Sequence, residues 1–152
     1  PLVNPADPLY QVIGIGLSNC IEAIVEVVKH LNKKRVIIYR SEDGYDEVSS
    51  YMPTECYDIK EGKITKFSIN PSDYFVKTPM PIVTTIEEAE NMFLRSLSHG
   101  DERLTNLIAL NTALALKCLD EHEDINEGFI RAKDHIMSKA PLKKLKELQR
   151  GL

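Results

Sequence analysis

Residues 10–39, YQVIGIGLSNCIEAIVEVVKHLNKKRVIIY, decide the fold. The run from Tyr10 to Gly16 is short, apolar and closed by Ser18-Asn19, which is the length and bounding of a buried strand. Ile21, Ile24, Val25, Val28 and Leu31 then recur at helical spacing. Asn19 with Glu22 three residues on has the residue types of a capping box, and Asn32-Lys33-Lys34 closes the helix. Val36 to Tyr39, VIIY, is a second buried strand. Strand, amphipathic helix, strand is a βαβ unit, so the two strands are expected to be parallel with a right-handed crossover.

Upstream of this unit, PLVNPADP carries three prolines in eight residues and predicts an extended connector. A chain that opens on Pro1 instead of methionine is expected to be a fragment or a processed form. Downstream, Thr54 to Ile69 holds two partly alternating runs around Glu61-Gly62, which predicts an antiparallel hairpin with one wet face. The sheet is therefore expected to be mixed. Pro71, Pro79 and Pro81 mark the loop from Asn70 to Thr84.

The remainder is read as helical. Thr85 with Glu88 is a capping box for a helix ending near Gly100. Asp101 to Asp120 follows, and Leu107 to Leu119 is apolar on nearly every side, as in a helix buried within its domain. Asp124 with Glu127 caps a third helix that ends near Ser138. Pro141 suits the first turn of a last short helix carrying Leu142, Leu145 and Leu148. The fold class expected is α/β: a mixed β-sheet with a βαβ unit and an antiparallel hairpin, then a cluster of C-terminal helices.

With 152 residues, 43% of them apolar, the chain has the material for one domain with a real core. Its formal net charge of -4 argues against a general nucleic-acid or membrane-surface binder, which carries a basic excess. A phosphate-bearing ligand must then be held locally, by a loop of amides or by a metal ion. No apolar run approaches the ~20 residues that span a bilayer, and no signal peptide opens the chain, so a cytoplasmic location is expected. Cys20, Cys56 and Cys118 are odd in number and widely spaced, which reads as reduced thiols. His122-Glu123-Asp124 reads as a solvated loop between helices.

Gly14-x-Gly16 follows a strand, yet the sixth position of a dinucleotide fingerprint is Asn19, so these are read as structural glycines at a tight turn. Asp43-Gly44-Tyr45-Asp46-Glu47 sits beyond the C-terminal edge of a buried strand, where open α/β sheets place ligands. Adjacent side chains diverge, so Asp46 and Glu47 could serve different cations. Magnesium favours such a site, with one or two carboxylates, several waters and phosphate oxygens. On residue types alone a solvated acidic turn is the favoured reading of the pair. Lys143, Lys144, Lys146 and Arg150 on the terminal helix read as a solvated face. Asn111, inside the apolar helix, needs a hydrogen-bond partner and is expected to tie to a nearby loop.

Taken together, several segments resemble anthranilate phosphoribosyltransferase. PLVNPADPLYQVIGIG is similar to that family's G-P-L-T-N-P-x-x-x-x-Y-Q-x-x-G-V, and EDGYDEVSSYMPT to its D-G-x-D-E-[IL]-S-x-x-G-P-T. NPSDY resembles D-P-x-D-F, LIALNTALAL resembles L-N-A-A-L-A-L, and SKAPLKKLKEL resembles the closing S-G-K-A-x-x-K-L. These run from Pro1 to Leu148 in the family's order. The resemblance implies a phosphoribosyltransferase or nucleoside phosphorylase-type large domain, incomplete here. Residues 1–152 would be its C-terminal part, without the N-terminal helical domain and the Gly-rich phosphate loop. It implies transfer of the phosphoribosyl group from phosphoribosyl pyrophosphate to anthranilate, releasing pyrophosphate, in tryptophan biosynthesis.

It also implies Mg2+ as cofactor, held by Asp46 and Glu47, with Glu47 serving both metal positions and Asp46 the second. Pro1 would contribute to the anthranilate entrance. No catalytic base is implied, the chain alone is not expected to turn over, and the full-length protein would be a homodimer that binds neither nucleic acid nor membrane. Two alternatives are a non-catalytic family paralogue, expected to lose the acidic pair and gain basic surface, and a pyrimidine nucleoside phosphorylase relative, against which the Leu2-Val3-Asn4-Pro5 segment and the Asp-Glu loop speak. The chain departs from the family pattern at Arg40-Ser41, where His-Gly is frequent, and at Met52, where glycine stands.

Overall fold

The structure, a computed structural model, describes residues 2–16, 20–120 and 124–151. The first unit forms as its periodicity predicts: β1 (Tyr10–Gly14), α1 (Ile21–Lys29) and β2 (Arg35–Ser41). β1 and β2 are parallel, in register from Tyr10↔Arg35 to Gly14↔Tyr39. α1 buries Ile21, Val25 and Val28 against the sheet. Its cap position is held by Cys20, with no side-chain hydrogen bond. Ile21, its first residue, is 6% exposed, and Asn19, the first member of the expected capping box, lies outside the described residues.

β3 (Thr54–Lys60) and β4 (Lys63–Ile69) form the expected antiparallel hairpin. Glu61 and Gly62 both have positive φ, 50° and 77°, the backbone that lets a two-residue turn follow the twist of its strands. β2 also pairs antiparallel with β3, giving one mixed sheet in the order β1-β2-β3-β4. The single wet face expected of the hairpin needs correction. β3 is an interior strand, and Cys56 on one face and Tyr57 and Ile59 on the other are all buried. Solvent is left to β4, whose residues Lys63 to Lys66 are exposed and whose lysines make a poor template for edge pairing.

The sheet separates two cores. On one face α1 packs over Ile13, Val36, Ile38, Tyr57 and Ile59. On the other, α3 (Glu102–Cys118) and α4 (Ile125–Met137) cover Ile37, Val48, Cys56 and Ile69. No residue of α3 from Leu104 to Cys118 is exposed, as its near-uniform apolar character predicts. α2 (Ile86–Leu97) opens on the full Thr85–Glu88 capping box, and α5 (Ala140–Arg150) carries Pro141 in its first turn.

Arg35, 2% exposed, fastens the sheet to the end of α3. Its Nε and Nη2 donate to the two carboxylate oxygens of Asp58 at 2.9 and 2.6 Å, and Nη1 donates to the Lys117 carbonyl at 2.7 Å. Asp120 accepts from the same guanidinium. The opening segment is turned, not extended. Asn4 Oδ1 accepts from the Ala6 N–H at 3.0 Å and the Asn4 carbonyl accepts from the Asp7 N–H at 3.0 Å, while Lys33 ion-pairs with Asp7. An asparagine that bonds the backbone two residues on overrides the extended preference of the flanking prolines.

Candidate metal centre

The acidic pair lies on the connection from β2 to β3, residues 42–53, and the path of that connection is fixed almost entirely by groups other than the pair. Gly44, at φ +87°, allows the turn, with its N–H donating to the Ser41 carbonyl at 3.0 Å. Buried Ser41 donates its hydroxyl to the Tyr45 carbonyl at 3.0 Å. Ser49 Oγ donates to Asp43 at 2.7 Å and accepts from the N–H groups of Tyr51 and Met52 at 2.9 and 3.1 Å. Ser50 exchanges hydrogen bonds with the Thr78 backbone, giving its hydroxyl proton to the Thr78 carbonyl at 2.9 Å. Val48, fully buried, plants the middle of the loop in the α3–α4 core.

Two devices bear directly on the pair. An ideal Cβ built on Gly14 would lie 1.8 Å from the Asp46 carbonyl oxygen, so glycine at the end of β1 is what lets the loop lie against the sheet. Gly16 is less constrained, its Cβ meeting only the Gly44 oxygen at 3.4 Å. The structural reading of Gly14-x-Gly16 is thus sharpened at Gly14. On the other side, Asn111 of α3 accepts from the Val48 N–H at 2.9 Å and donates to the Val48 carbonyl at 3.0 Å. That is the loop tie expected of a polar residue in an apolar helix.

Asp46 and Glu47 themselves are exposed, and neither carboxylate has a hydrogen bond or an ion pair among the described residues. Their charge is felt beneath them: the half-buried Tyr39 hydroxyl is pushed up to about 12, first by burial and then by the negative charges of Glu47 and Asp46. Beside the pair runs a groove of about 350 Å³ whose far wall is apolar, with Met80, Met92, Phe93 and Leu107 among its lining. Among the described residues no three His, Cys, Asp or Glu side chains gather to hold a metal by themselves. Two free carboxylates suit magnesium, which keeps waters and takes ligand oxygens, and do not suit a closed four-ligand zinc site.

The other candidates separate cleanly. Pro1 lies outside the described residues, as do His122 and Glu123. Lys143, Lys144, Lys146 and Arg150 are exposed on α5, a solvated face. Cys20, Cys56 and Cys118 are not joined in disulfides, and burial raises the Cys56 and Cys118 thiols above the ordinary range. Met52, at the family's glycine position, has no positive φ, so the side chain is carried without backbone strain. Arg40, at the family's frequent histidine, has its Nε buried without a hydrogen-bond partner among the described residues. Sequence reasoning missed the bracing serines Ser41, Ser49 and Ser50. Ser41 and Ser49 bond within the loop, and only Ser50 finds its partner, Thr78, in another segment, so the serine-rich character of the loop was the available signal. Among the described residues, no helix is long and apolar enough to cross a membrane.

Residues 1–140 match the sequence profile described as "Glycosyl transferase family, a/b domain". The chain is 35% identical over 133 residues to the anthranilate phosphoribosyltransferase of Sulfolobus acidocaldarius, covering 85% of this chain and 39% of that protein. It is 29% identical over 152 residues to the enzyme of the same name from Chromohalobacter salexigens, covering 97% and 44%. In three dimensions it is similar to anthranilate phosphoribosyltransferase from Saccharomyces cerevisiae in complex with PRPP and Mg, with a TM-score of 0.75 at 19% identity over 90% of this chain and 41% of that one. The chain thus spans roughly two fifths of the relatives it matches, at 39% and 44% of their lengths. A profile that takes in 140 of 152 residues, on an α/β sheet with the expected strand pairing, is decisive for kinship: the chain belongs to the glycosyl transferase family, α/β domain.

Proposed function

We propose that this chain is the C-terminal part of the catalytic domain of a magnesium-dependent anthranilate phosphoribosyltransferase, in which Asp46 and Glu47 hold the metal. The observation that carries this reading is the pair itself. Two adjacent carboxylates are exposed, without protein partners among the described residues, on a loop whose backbone is held in place by Gly14, Ser41 and Asn111. Two adjacent exposed carboxylates repel each other only weakly in water, and a cation sharing the site would turn that repulsion into attraction. The substrate class is suggested by the name of the Sulfolobus acidocaldarius relative and by the Saccharomyces cerevisiae structure in complex with PRPP and Mg.

In such a reaction the amine of anthranilate displaces pyrophosphate at the anomeric carbon of the ribose. A bound magnesium neutralises charge that accumulates on the departing pyrophosphate, favouring the transition state over the ground state. The contribution of this chain would be orientation: Glu47 would serve both cations and Asp46 the second, on a backbone braced by Gly14, Ser41 and Asn111. Pro1 belongs to the anthranilate entrance in this reading. The protein works in the cytoplasm as a homodimer, with no nucleic-acid or membrane partner.

The test uses the complete protein and follows the magnesium-dependent loss of anthranilate fluorescence with phosphoribosyl pyrophosphate. Asp46→Asn and Glu47→Gln are each expected to lower kcat/KM by about a hundredfold or more and to raise the magnesium requirement. Turnover like the wild type in both variants across a magnesium titration removes the metal role.

A further inference from the structure

We propose that Asn111 is a positioning residue for the acidic pair, acting through the Val48 peptide; this rests on the magnesium role of Asp46 and Glu47. Asn111 is partly buried on α3, 63 residues from Val48 in sequence. Its side-chain amide closes a two-bond clasp on Val48. Oδ1 accepts from the N–H at 2.9 Å and Nδ2 donates to the C=O at 3.0 Å. The second Nδ2 proton goes to the Leu107 carbonyl at 3.0 Å. One acceptor and both donors are used, so a flipped amide would set Oδ1 against two carbonyls, and only one orientation is satisfied.

Geometry then carries the effect to the pair. The Val48 N–H belongs to the peptide plane that it shares with Glu47, so the clasp sets the orientation of that plane. The carbonyl of Asp46 belongs to the plane on the other side of Glu47, and it rests on Gly14. Both planes flanking Glu47 are thus set from outside the loop, by β1 and by α3. Val48 itself is fully buried, and among the described residues its N–H has no acceptor besides Asn111, whereas the plane of its carbonyl is also held by the Ser49 N–H, which donates to Thr54 Oγ1 at 3.2 Å. The arrangement resembles that of groups which orient metal ligands without touching the metal, whose loss weakens metal affinity about ten- to a hundredfold.

The experiment titrates Mn2+ into the isotope-labelled protein and reads the concentration that half-broadens the Asp46 and Glu47 amide signals. Asn111→Ala is expected to raise that midpoint about tenfold. Asn111→Asp keeps the acceptor for the Val48 N–H but sets a carboxylate oxygen against the Val48 and Leu107 carbonyls, so its midpoint should rise at least as far as that of Asn111→Ala. Ile136→Ala, a core truncation on α4, controls for lost stability: it should lower the Tm while leaving the midpoint unchanged. An unchanged midpoint in Asn111→Ala overturns the proposal, and so does an equal shift in Ile136→Ala. Broadening that survives in Asp46→Asn and Glu47→Gln, or is absent from the wild type, overturns the metal reading and this proposal with it.

Discussion

Adding one methyl group at Gly14 should damage both the fold and the acidic loop. A Cβ there would lie 1.8 Å from the Asp46 oxygen and 2.6 Å from its carbonyl carbon, where real contacts essentially never fall below 3.0 Å. To bring the oxygen from 1.8 to 3.0 Å the loop must withdraw by at least 1.2 Å. It cannot do so freely, because Asn111 clasps Val48 two residues on and Ser41 holds the Tyr45 carbonyl one residue back. Overpacking of this kind costs about 1–3 kcal/mol. Replacing glycine restricts the unfolded chain and returns roughly 0.4–1 kcal/mol. The net expectation for Gly14→Ala is a loss of about 1–2 kcal/mol in urea denaturation, the difference between those two effects. A displacement near 1 Å at a positioning element can also cost about a hundredfold in rate, so the Mn2+ midpoint at Asp46 and Glu47 should rise as well. Gly16→Ala is the matched control, with its Cβ 3.4 Å from the nearest atom and no shift required. A Gly14→Ala variant as stable as the wild type, with the same midpoint, would refute the packing of the loop on β1.

Two further expectations concern ion pairs outside the loop. Asp58→Ala leaves Arg35, 2% exposed, without its bidentate partner and should cost about 3–5 kcal/mol in urea denaturation; a loss within error would show that Lys117 and Asp120 suffice. Asp101 caps α3 and accepts from Arg103, whose side-chain hydrogen bond is the main reason its carboxyl falls from 3.8 to about 2. A carboxyl lowered on folding adds stability that is present above 3.8 and lost as pH falls towards 2, so acid should weaken the fold through that window. Asp101→Asn keeps a capping oxygen but removes the titration, and thermal melts across the window should show a flatter acid limb. The same acid limb in both proteins would assign the pH dependence to other groups.

Elements held together by local periodicity were legible in the chain. The βαβ unit, the Glu61-Gly62 hairpin, the Thr85–Glu88 cap and the buried α3 each depend on residues within one turn or one strand of each other, and each forms where the pattern places it. What failed to read was set by strand order and by side chains that compete locally. β3 looked half-wet because its polar residues alternate loosely, yet one of them, Asp58, is buried as the partner of Arg35, and α1 covers the other face. Pro5 and Pro8 argued for extension, but the Asn4 side chain turns the segment and Lys33 holds it.

The acidic pair shows the same division more sharply. Its position after a buried strand could be read, and Asn111 announced that some partner was required, because an amide in an apolar helix must be satisfied. Which partner it finds depends on how α3 crosses the sheet, and no local pattern encodes that. Gly14 is the more telling case. Read beside Gly16 it suggested a turn, while its actual constraint comes from a loop more than thirty residues away that folds back over the end of β1. A glycine at a strand end therefore carries its meaning in what approaches it. Here that is the backbone of Asp46, so the residue that admits the loop and the residue proposed to bind the metal are parts of one contact. A substitution that spares both carboxylates can then still move them.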